Sequence, residues 1–255
     1  MIDLSAAWNG RIFSEELPEA ELDVQAELAL LAPGAPNRRV FISSSEERVI
    51  RVAMGSLDGP WARYGGFVPA GVGTIIIDPL VWARHLVGLA EICLNKGINL
   101  VSDERRTSPG LSGHPFFCEA FGVRPDAIIL GRGWANGEDF YGFIARPSRL
   151  TEPLPCSQEA HFSSASRTIA YLRQRGLEMA REKGRLIEEF VESRRIPARG
   201  AGMLWLLEVP DPYRIAARLA SKGFAITISE GSLVLAPTLD LPEDSLIRGL
   251  RLLSS

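Results

Sequence analysis

The stretch from residue 97 to residue 145 constrains the fold of this chain more than any other part. It holds two short apolar runs, at 98–101 and 126–131, separated by a polar segment that contains glycine. Such runs predict buried strands of a parallel sheet. Ligands of open α/β sheets lie at the carboxyl ends of the strands. Asp103 and Arg132 are therefore candidates to face one crevice, unless Asp103 only caps a turn and Arg132 is a solvated loop cation.

Apolar periodicity predicts strands and helices on both sides of this stretch. The predicted strands outside it are 39–42, 74–78, 202–209, 224–229 and 232–236. The predicted helices are 17–31, one that follows residues 43–46, 80–95, 167–177, 177–193, 212–221 and 242–253. Residues 55–73 are rich in glycine and proline and lack a period, so they are predicted to be loop.

The composition is typical of a globular protein, since 46% of the 255 residues are hydrophobic and 23% are charged. A net charge of −3 argues against nucleic-acid or membrane partners held by bulk electrostatics. Long apolar runs and a secretory leader pattern are missing, so a cytoplasmic location is expected. Cys93, Cys118 and Cys156 have unrelated spacings, which favours buried free thiols over disulfides or a metal cluster.

The chain contains few lysines. Only Lys96, Lys183 and Lys222 are found among its 28 cationic residues. Lys96 falls at the predicted end of a helix, and Lys183 and Lys222 are expected to be exposed in the C-terminal part. Any mechanism that needs a lysine amine therefore has three candidates.

The stretch at 97–145 resembles the core of the class III (ornithine-type) aminotransferases, which are pyridoxal phosphate enzymes of fold type I. In that family an apolar strand precedes Asp-Glu-Val-Gln-Thr-Gly-Phe-Gly-Arg-Thr-Gly, then Phe-Gly-Val-x-Pro-Asp, then a strand that ends in Ala-Lys-Gly. The residues kept in register are Asp103, Glu104, Thr107, Gly110, Gly113, Phe121, Gly122, Val123, Pro125 and Asp126. Arg132 stands where the family carries the lysine that forms the Schiff base.

The resemblance also implies a set of residues that contact the cofactor. Asp103 would pair with the pyridinium nitrogen, and Arg106 lies in the same motif. Ser44 and Ser45 stand where a Gly-Ser peptide cups the phosphate, at a strand-to-helix turn of the kind that binds anions. The alternative for that turn is an ordinary serine N-cap.

Two further positions belong to the same implied set. Tyr64 stands where the family has an aromatic ring that stacks on the pyridine, and the alternative is an exposed or core tyrosine. His161 replaces a threonine that reaches the phosphate of the neighbouring subunit, and the alternative is a hydrogen-bonded surface histidine.

The resemblance implies an α/β fold with a three-layer large domain, built on a parallel-rich sheet, and a small C-terminal α+β domain. The expected division is an N-terminal segment at 1–30, a truncated large domain at 31–176 and the small domain at 177–255. A homodimer, or a heterodimer with a full-length aminotransferase, is the expected assembly.

Three functions remain open from the sequence. The first is a catalytically degenerate binding or partner protein without covalently attached pyridoxal phosphate, because arginine supplies no amine for a Schiff base. The second is a pyridoxal phosphate-dependent aminotransferase acting on an amino or ω-amino acid. The third is chemistry by Asp103, Glu104 and Arg132 without the cofactor, for which the sequence offers no positive support.

Overall fold

The computed structural model describes residues 1–34, 37–107 and 109–253. The strands of these residues are β1 (Ile2–Asp3), β2 (Arg39–Ser43), β3 (Trp61–Arg63), β4 (Thr74–Ile77), β5 (Asn99–Glu104), β6 (Ala127–Leu130), β7 (Tyr141–Ala145), β8 (Ala198–Ala201), β9 (Leu204–Leu207), β10 (Phe224–Ala225), β11 (Thr227–Ser229) and β12 (Ser232–Leu235). The α-helices are α1 (Val24–Leu31), α2 (Glu46–Ser56), α3 (Leu86–Lys96), α4 (Phe162–Tyr171), α5 (Leu177–Ser193), α6 (Pro212–Ser221) and α7 (Glu243–Leu253).

The central sheet has six strands in the order β2-β7-β6-β5-β4-β3. The neighbouring strands β3, β4, β5 and β6 are parallel to one another, and β7 runs antiparallel to both β6 and β2. The register places Asp103 opposite Ile129, so the carboxyl ends of β5 and β6 lie side by side. The sheet is therefore rich in parallel pairs, as expected, and its strand ends form one edge.

Helices cover both faces of this sheet. Alternate side chains of β4 point to opposite faces, since Ile75 and Ile77 belong to one apolar cluster and Ile76 to the other. Helix α2 packs Val49 and Ala53 on the face of Ile76. Helices α1, α3 and α4 contribute to the larger cluster on the opposite face. Each fully buried aliphatic side chain stabilises this packing by about 1.5–3 kcal/mol. The expected three-layer α/β architecture is thus confirmed.

A second sheet is built mostly from the C-terminal part of the chain. It has four antiparallel strands in the order β11-β12-β9-β8. The N-terminal strand β1 pairs in parallel with β10, and the backbone of Leu4 bonds to Ala236. A π-helical turn at Leu172–Gly176 joins α4 to α5. The domain boundaries near residues 30 and 176 stay a prediction.

Several predicted elements differ from the observed ones. The helix predicted at 17–31 begins at Val24, because the Asp23 side chain accepts the N–H of Ala26 at 3.1 Å and caps it there. The loop predicted at 55–73 contains β3, which is held by parallel pairing with β4 and is too short to show a period. The helix predicted to begin at residue 80 starts at Leu86, after a 3₁₀ turn at Ala83–His85.

Two predictions of exposure were wrong. Lys183, expected at the surface, is buried, and its Nζ donates to the backbone oxygen of Leu239. Burial lowers the pKa of Lys183. Cys156, expected to be buried, is exposed, whereas Cys93 and Cys118 are buried free thiols.

The described ranges lack both a membrane-spanning helix and a metal-binding cluster. None of their helices combines the length and apolar character that crossing a bilayer requires. Within the same residues, no cluster of histidine, cysteine and carboxylate side chains is arranged to hold a metal ion.

Candidate functional site

A polar crevice lies at the carboxyl ends of the central strands. Its volume is about 630 Å³. The lining residues come from the N-terminal segment, the start of α2, the strand ends and the β11–β12 turn: Trp8, Asn9, Gly10, Glu46, Arg63, Asp78, Val81, Asp103, Arg105, Arg106, Arg132, Tyr141 and Glu230. These include four arginines and four carboxylates. The position matches the expectation for an open α/β sheet.

Backbone packing brings the Asp103 and Arg132 ends of the strands together. A Cβ added at Gly131 would lie 2.4 Å from the backbone oxygen of Arg105, so only glycine allows β6 to approach the end of β5 so closely. Gly10 has φ +90°, and a Cβ there would lie 3.2 Å from the Cβ of Arg132. The two glycines therefore permit the close packing that surrounds Arg105 and Arg132.

Asp103 is buried and forms a two-pronged ion pair with Arg105. The Arg105 Nε donates to Oδ1 of Asp103 at 2.7 Å, and Nη2 donates to Oδ2 at 2.6 Å. The remaining terminal nitrogen, Nη1, bonds to Oε1 of Glu46 in the first turn of α2. Hydrogen bonding to Asp103 raises the pKa of Arg105 above its already high value. We call Asp103, Arg105 and Glu46 the ion triad.

Glu104, the next residue of β5, points away from the crevice. Its carboxylate accepts the backbone N–H groups of Phe117 at 2.6 Å and Cys118 at 3.0 Å. The hydroxyls of Ser102 and Thr107 lie at 3.2 and 3.3 Å from it. Burial raises the pKa of Glu104, and the two N–H donors oppose that rise. Glu104 therefore anchors the loop after β5.

The mouth of the crevice carries arginines that are less firmly held. Arg132 is paired at 3.2 Å with Asp139, and both side chains are about half exposed. Arg106 lies 3.6 Å from Glu230, with its guanidinium 5.7 Å from the centre of the Trp8 ring. Exposed pairs of this kind contribute little stability and are easily displaced.

Arg63 and Asp78 complete the charged lining. Arg63 is exposed, and its side chain has no hydrogen bond or ion pair with any described residue. Asp78 accepts the N–H groups of Leu80 and Val81, each at 3.1 Å. Burial raises the pKa of Asp78, and the nearby charge of Asp103 adds to the rise. Arg63 is thus the crevice cation with the fewest competing contacts in the described chain.

The predicted site residues fall into two groups. The crevice is lined by Asp103 and Arg132, which the sequence placed at one edge, and also by Arg106. Ser44 and Ser45 are not part of its lining. The N–H of Ser44 donates to the backbone oxygen of Glu159 at 3.1 Å, and the N–H of Ser45 donates to Oγ of Ser43 at 3.1 Å. The Ser45 hydroxyl accepts the N–H of Arg48 at 3.3 Å and caps α2.

Tyr64 and His161 also lie outside the crevice lining. The Tyr64 hydroxyl is 3.0 Å from Nδ1 of His85, and its ring packs edge-on against Trp82. His161 is exposed, with Nδ1 at 3.7 Å from the carboxylate of Glu138. The roles that the resemblance implies for Tyr64 and His161 stay predictions.

Several crevice residues were not found from the sequence, among them Arg105, Glu46 and Arg63. A signal existed for Arg105, because the family motif that fits Asp103 and Glu104 places valine at that position. Glu46 was recognised only as a first-turn acid of a helix. Arg63 lies on the short strand that the glycine-rich composition concealed.

The crevice as it stands does not fit the cofactor that the resemblance implies. Asp103, the expected partner of the ring nitrogen, is occupied by Arg105 on both carboxylate oxygens. The N–H groups expected to cup the phosphate, those of Ser44 and Ser45, already have acceptors. No lysine is found among the residues that line this crevice. Pyridoxal phosphate therefore finds neither its ring partner nor its phosphate donors free.

A larger cavity, of about 790 Å³, lies between α1, β2 and the segment at 147–157. Its lining includes Arg38, whose guanidinium donates to the backbone oxygens of Asp126 and Pro125 at 2.8 and 2.9 Å. The exposed thiol of Cys156 lies there, with Asp23, Arg39 and Glu152 also in the lining. The smaller crevice is the better candidate site, because charged side chains of both signs converge there from several strand ends.

Sequence comparison finds relatives with known activities. An alanine/serine racemase of Pyrococcus horikoshii is 28% identical over 159 residues, which cover 60% of this chain and 30% of that protein. Acetylornithine aminotransferases of Gloeobacter violaceus and Streptococcus mutans are 26% and 24% identical, over 56% and 66% of this chain and 40% and 48% of theirs. The matches thus span about a third to a half of the relatives' length. The sequence matches no protein-family model.

Solved structures agree on the fold. Acetylornithine aminotransferase of Elizabethkingia anophelis superposes with a TM-score of 0.75 at 15% identity, over 98% of this chain and 87% of that one. Ornithine δ-aminotransferase of Plasmodium falciparum superposes with a TM-score of 0.74 at 15% identity, over 98% and 86%. The chain therefore has the fold type I architecture of the ornithine-type aminotransferases, and its sequence is similar to acetylornithine aminotransferases over about half to two thirds of its length.

Proposed function

We propose that this chain is a catalytically inactive relative of the class III aminotransferases that binds a small anion in the crevice. The observation that carries the proposal is Arg132, which lines the crevice where the resemblance places the Schiff-base lysine. A guanidinium stays protonated in proteins, so it supplies neither an amine nucleophile nor a proton acceptor. It binds carboxylates and phosphates well, often through two parallel hydrogen bonds.

The charges at the mouth support an anionic ligand. Arg63 has no competing contact within the described residues, and Arg106 and Arg132 are held only by exposed carboxylates. A phosphate or a dicarboxylate that contacts two of these guanidinium groups would replace weak surface pairs with charge-assisted hydrogen bonds. The ion triad deeper in the crevice is less available to an anion, because the guanidinium of Arg105 is already held by two carboxylates.

Anion binding is tested by calorimetric titration of the protein with inorganic phosphate and with succinate. Arg132→Gln should weaken the tighter ligand about tenfold, which is about 1.4 kcal/mol. Arg51→Gln is the matched control, since Arg51 forms an exposed pair with Glu47 on α2 and does not line the crevice. Equal affinities in the wild type and both variants, or no binding at all, would overturn the anion site.

The alternative function is a pyridoxal phosphate-dependent aminotransferase acting on an amino or ω-amino acid, and the activities named for the relatives favour it. The two functions differ in whether one of the three lysines forms a Schiff base with pyridoxal phosphate. Our proposal expects a colourless protein, no pyridoxyl adduct after borohydride reduction in the presence of pyridoxal phosphate, and no transamination. A reduced adduct mapped to Lys96, Lys183 or Lys222, together with turnover, would establish the alternative.

The proposal includes a partner and a location. We expect a homodimer, or a heterodimer with a full-length aminotransferase, and large apolar side chains such as Phe67 (68%) and Leu94 (73%) are exposed in the single chain. Light scattering that shows a monomer at all concentrations would exclude the homodimer. The cytoplasm is the expected location, where the unpaired thiols would stay reduced.

A further inference from the structure

We propose that the crevice is self-occupied: the guanidinium of Arg105 takes the place of a cationic ring against Asp103, and so excludes pyridoxal-type ligands from this chain. The inference deepens the proposed function, on which it rests, by naming the residue that changes the ligand class. It is specific to Arg105 and makes no use of Arg132.

Arg105 engages both carboxylate oxygens of Asp103 at the edge of the crevice. Both carboxylate oxygens accept from one guanidinium, at 2.7 and 2.6 Å. The Asp103 side chain is 8% exposed and that of Arg105 is 20% exposed. A buried carboxylate in this arrangement has one full positive charge beside it. A second cation, such as a protonated ring nitrogen, would have to displace the first.

Glu46 holds the guanidinium of Arg105, which we call the plug, from the side opposite Asp103. Its carboxylate bonds to the third nitrogen of Arg105, so the guanidinium is held between the end of β5 and the first turn of α2. Removing Arg105 would leave two carboxylates facing one another without a cation. The space would then favour a cationic group of similar planar shape.

The main support for the inference is that residue 105 is an arginine. The family motif that matches Asp103 and Glu104 has an uncharged valine next in line, and this chain has arginine. Valine reaches neither carboxylate. The substitution Arg105→Val therefore removes the plug and leaves the Asp103 carboxylate exposed to the cavity.

The test uses pyridoxamine 5′-phosphate, which carries the ring and the phosphate but no aldehyde, so it forms no Schiff base with lysines. Because this probe also carries a phosphate, we expect the wild type to bind it no more tightly than inorganic phosphate, and Arg105→Val to bind it at least tenfold more tightly than the wild type does. The double variant Arg105→Val with Asp103→Asn should lose this gain, because a neutral amide does not attract the ring cation. Arg51→Val, which removes an exposed arginine of α2, should behave as the wild type.

Wild-type binding as tight as that of the variant, or no gain in the variant, would overturn the inference. If Arg105→Val does not fold, Arg105→Gln is read in the same way, since glutamine neutralises neither carboxylate. Titration of the wild type with inorganic phosphate separates this inference from the proposed function. Phosphate binding without any gain in the variant refutes only the plug, whereas a gain without phosphate binding refutes only the anion site.

Discussion

Two aspartates lie at opposite ends of the central sheet, and arginines contact both. At the amino-terminal end, Oδ2 of Asp126 accepts the N–H of Leu100 at 3.0 Å, and Oδ1 accepts Nε of Arg149 at 3.0 Å. Arg146 lies 3.5 Å from the same Oδ1. Arg38 is buried beside them, and burial with the neighbouring charge of Arg146 lowers its pKa to about 10. This arrangement ties loops to the sheet.

At the carboxyl end, Asp103 meets one arginine within a cavity. Arg105 satisfies the carboxylate and also reaches Glu46, but the surrounding space still holds three other arginines, all of them exposed. Pairing between arginine and aspartate thus has a different role at each end of the sheet. Where the arginines donate to backbone oxygens and to the aspartate together, they are part of the packing. Where an arginine faces open space, it is available to a ligand.

The largest effect is expected at the structural end. Asp126→Asn removes the charge that offsets Arg146 and Arg149 and lies close to the buried Arg38. Because this leaves partly buried cations without a counter-charge, we expect a loss of about 3–5 kcal/mol in the free energy of unfolding. Chemical denaturation with guanidinium chloride measures the loss.

An exposed ion pair provides the control for that experiment. Glu47→Gln breaks the pair with Arg51, in which both side chains are at least three-quarters exposed, and should cost less than about 0.5 kcal/mol. Equal losses for Asp126→Asn and Glu47→Gln would show that the amino-terminal end of the sheet is no more dependent on its ion pairs than the surface is.

A middle-sized effect is expected from Glu119, a partly buried carboxylate in the 3₁₀ turn at Phe117–Phe121. Glu119 accepts the N–H of Phe116 at 3.0 Å, and burial raises the pKa of Glu119 to about 7. The folded state therefore keeps a proton that the unfolded chain releases above a pKa of about 4.3. The stability from this group is complete below that value and is lost as the pH rises toward 7.

Glu119→Gln should remove this pH dependence. At pH 8 we expect the free energy of unfolding of the variant to exceed that of the wild type by about 1–2 kcal/mol. This is less than the full value that the pKa shift implies, because the side chain is partly exposed. At pH 4 the two proteins should be equally stable, since glutamine keeps an acceptor for Phe116. A wild type whose stability is flat between pH 4.5 and 7 would contradict the assignment.

Much of the fold is predictable from the sequence because its signals are local. Apolar runs gave β4 and β6, and a helical pattern gave α6. In the structure the Asp211 side chain caps α6 by accepting the N–H of Arg214 at 3.0 Å. The short strand β3 was missed, because three residues carry no period and only the pairing with β4 makes them a strand.

The candidate site is predictable only in part. Asp103 and Arg132 follow apolar strands, so the topology alone brings them to one edge. The ion triad was not predictable, because Arg105 and Glu46 are separated by 59 residues and meet only when α2 packs on the sheet. Ser45 looked like a phosphate ligand because the sequence does not tell which acceptor its N–H will find.

The smallest expected effect separates the two interpretations of Ser45. In the structure its hydroxyl accepts the N–H of Arg48 and caps α2, and its own N–H is bonded to Ser43. Ser45→Ala should therefore cost about 1 kcal/mol in unfolding free energy, the usual loss for a serine cap, and leave the affinity for phosphate unchanged. Ser45→Thr keeps a capping hydroxyl and should lose less. If phosphate affinity instead falls tenfold in Ser45→Ala while Ser45→Thr retains it, the hydroxyl is a ligand, and Ser45 belongs to the site rather than to the packing.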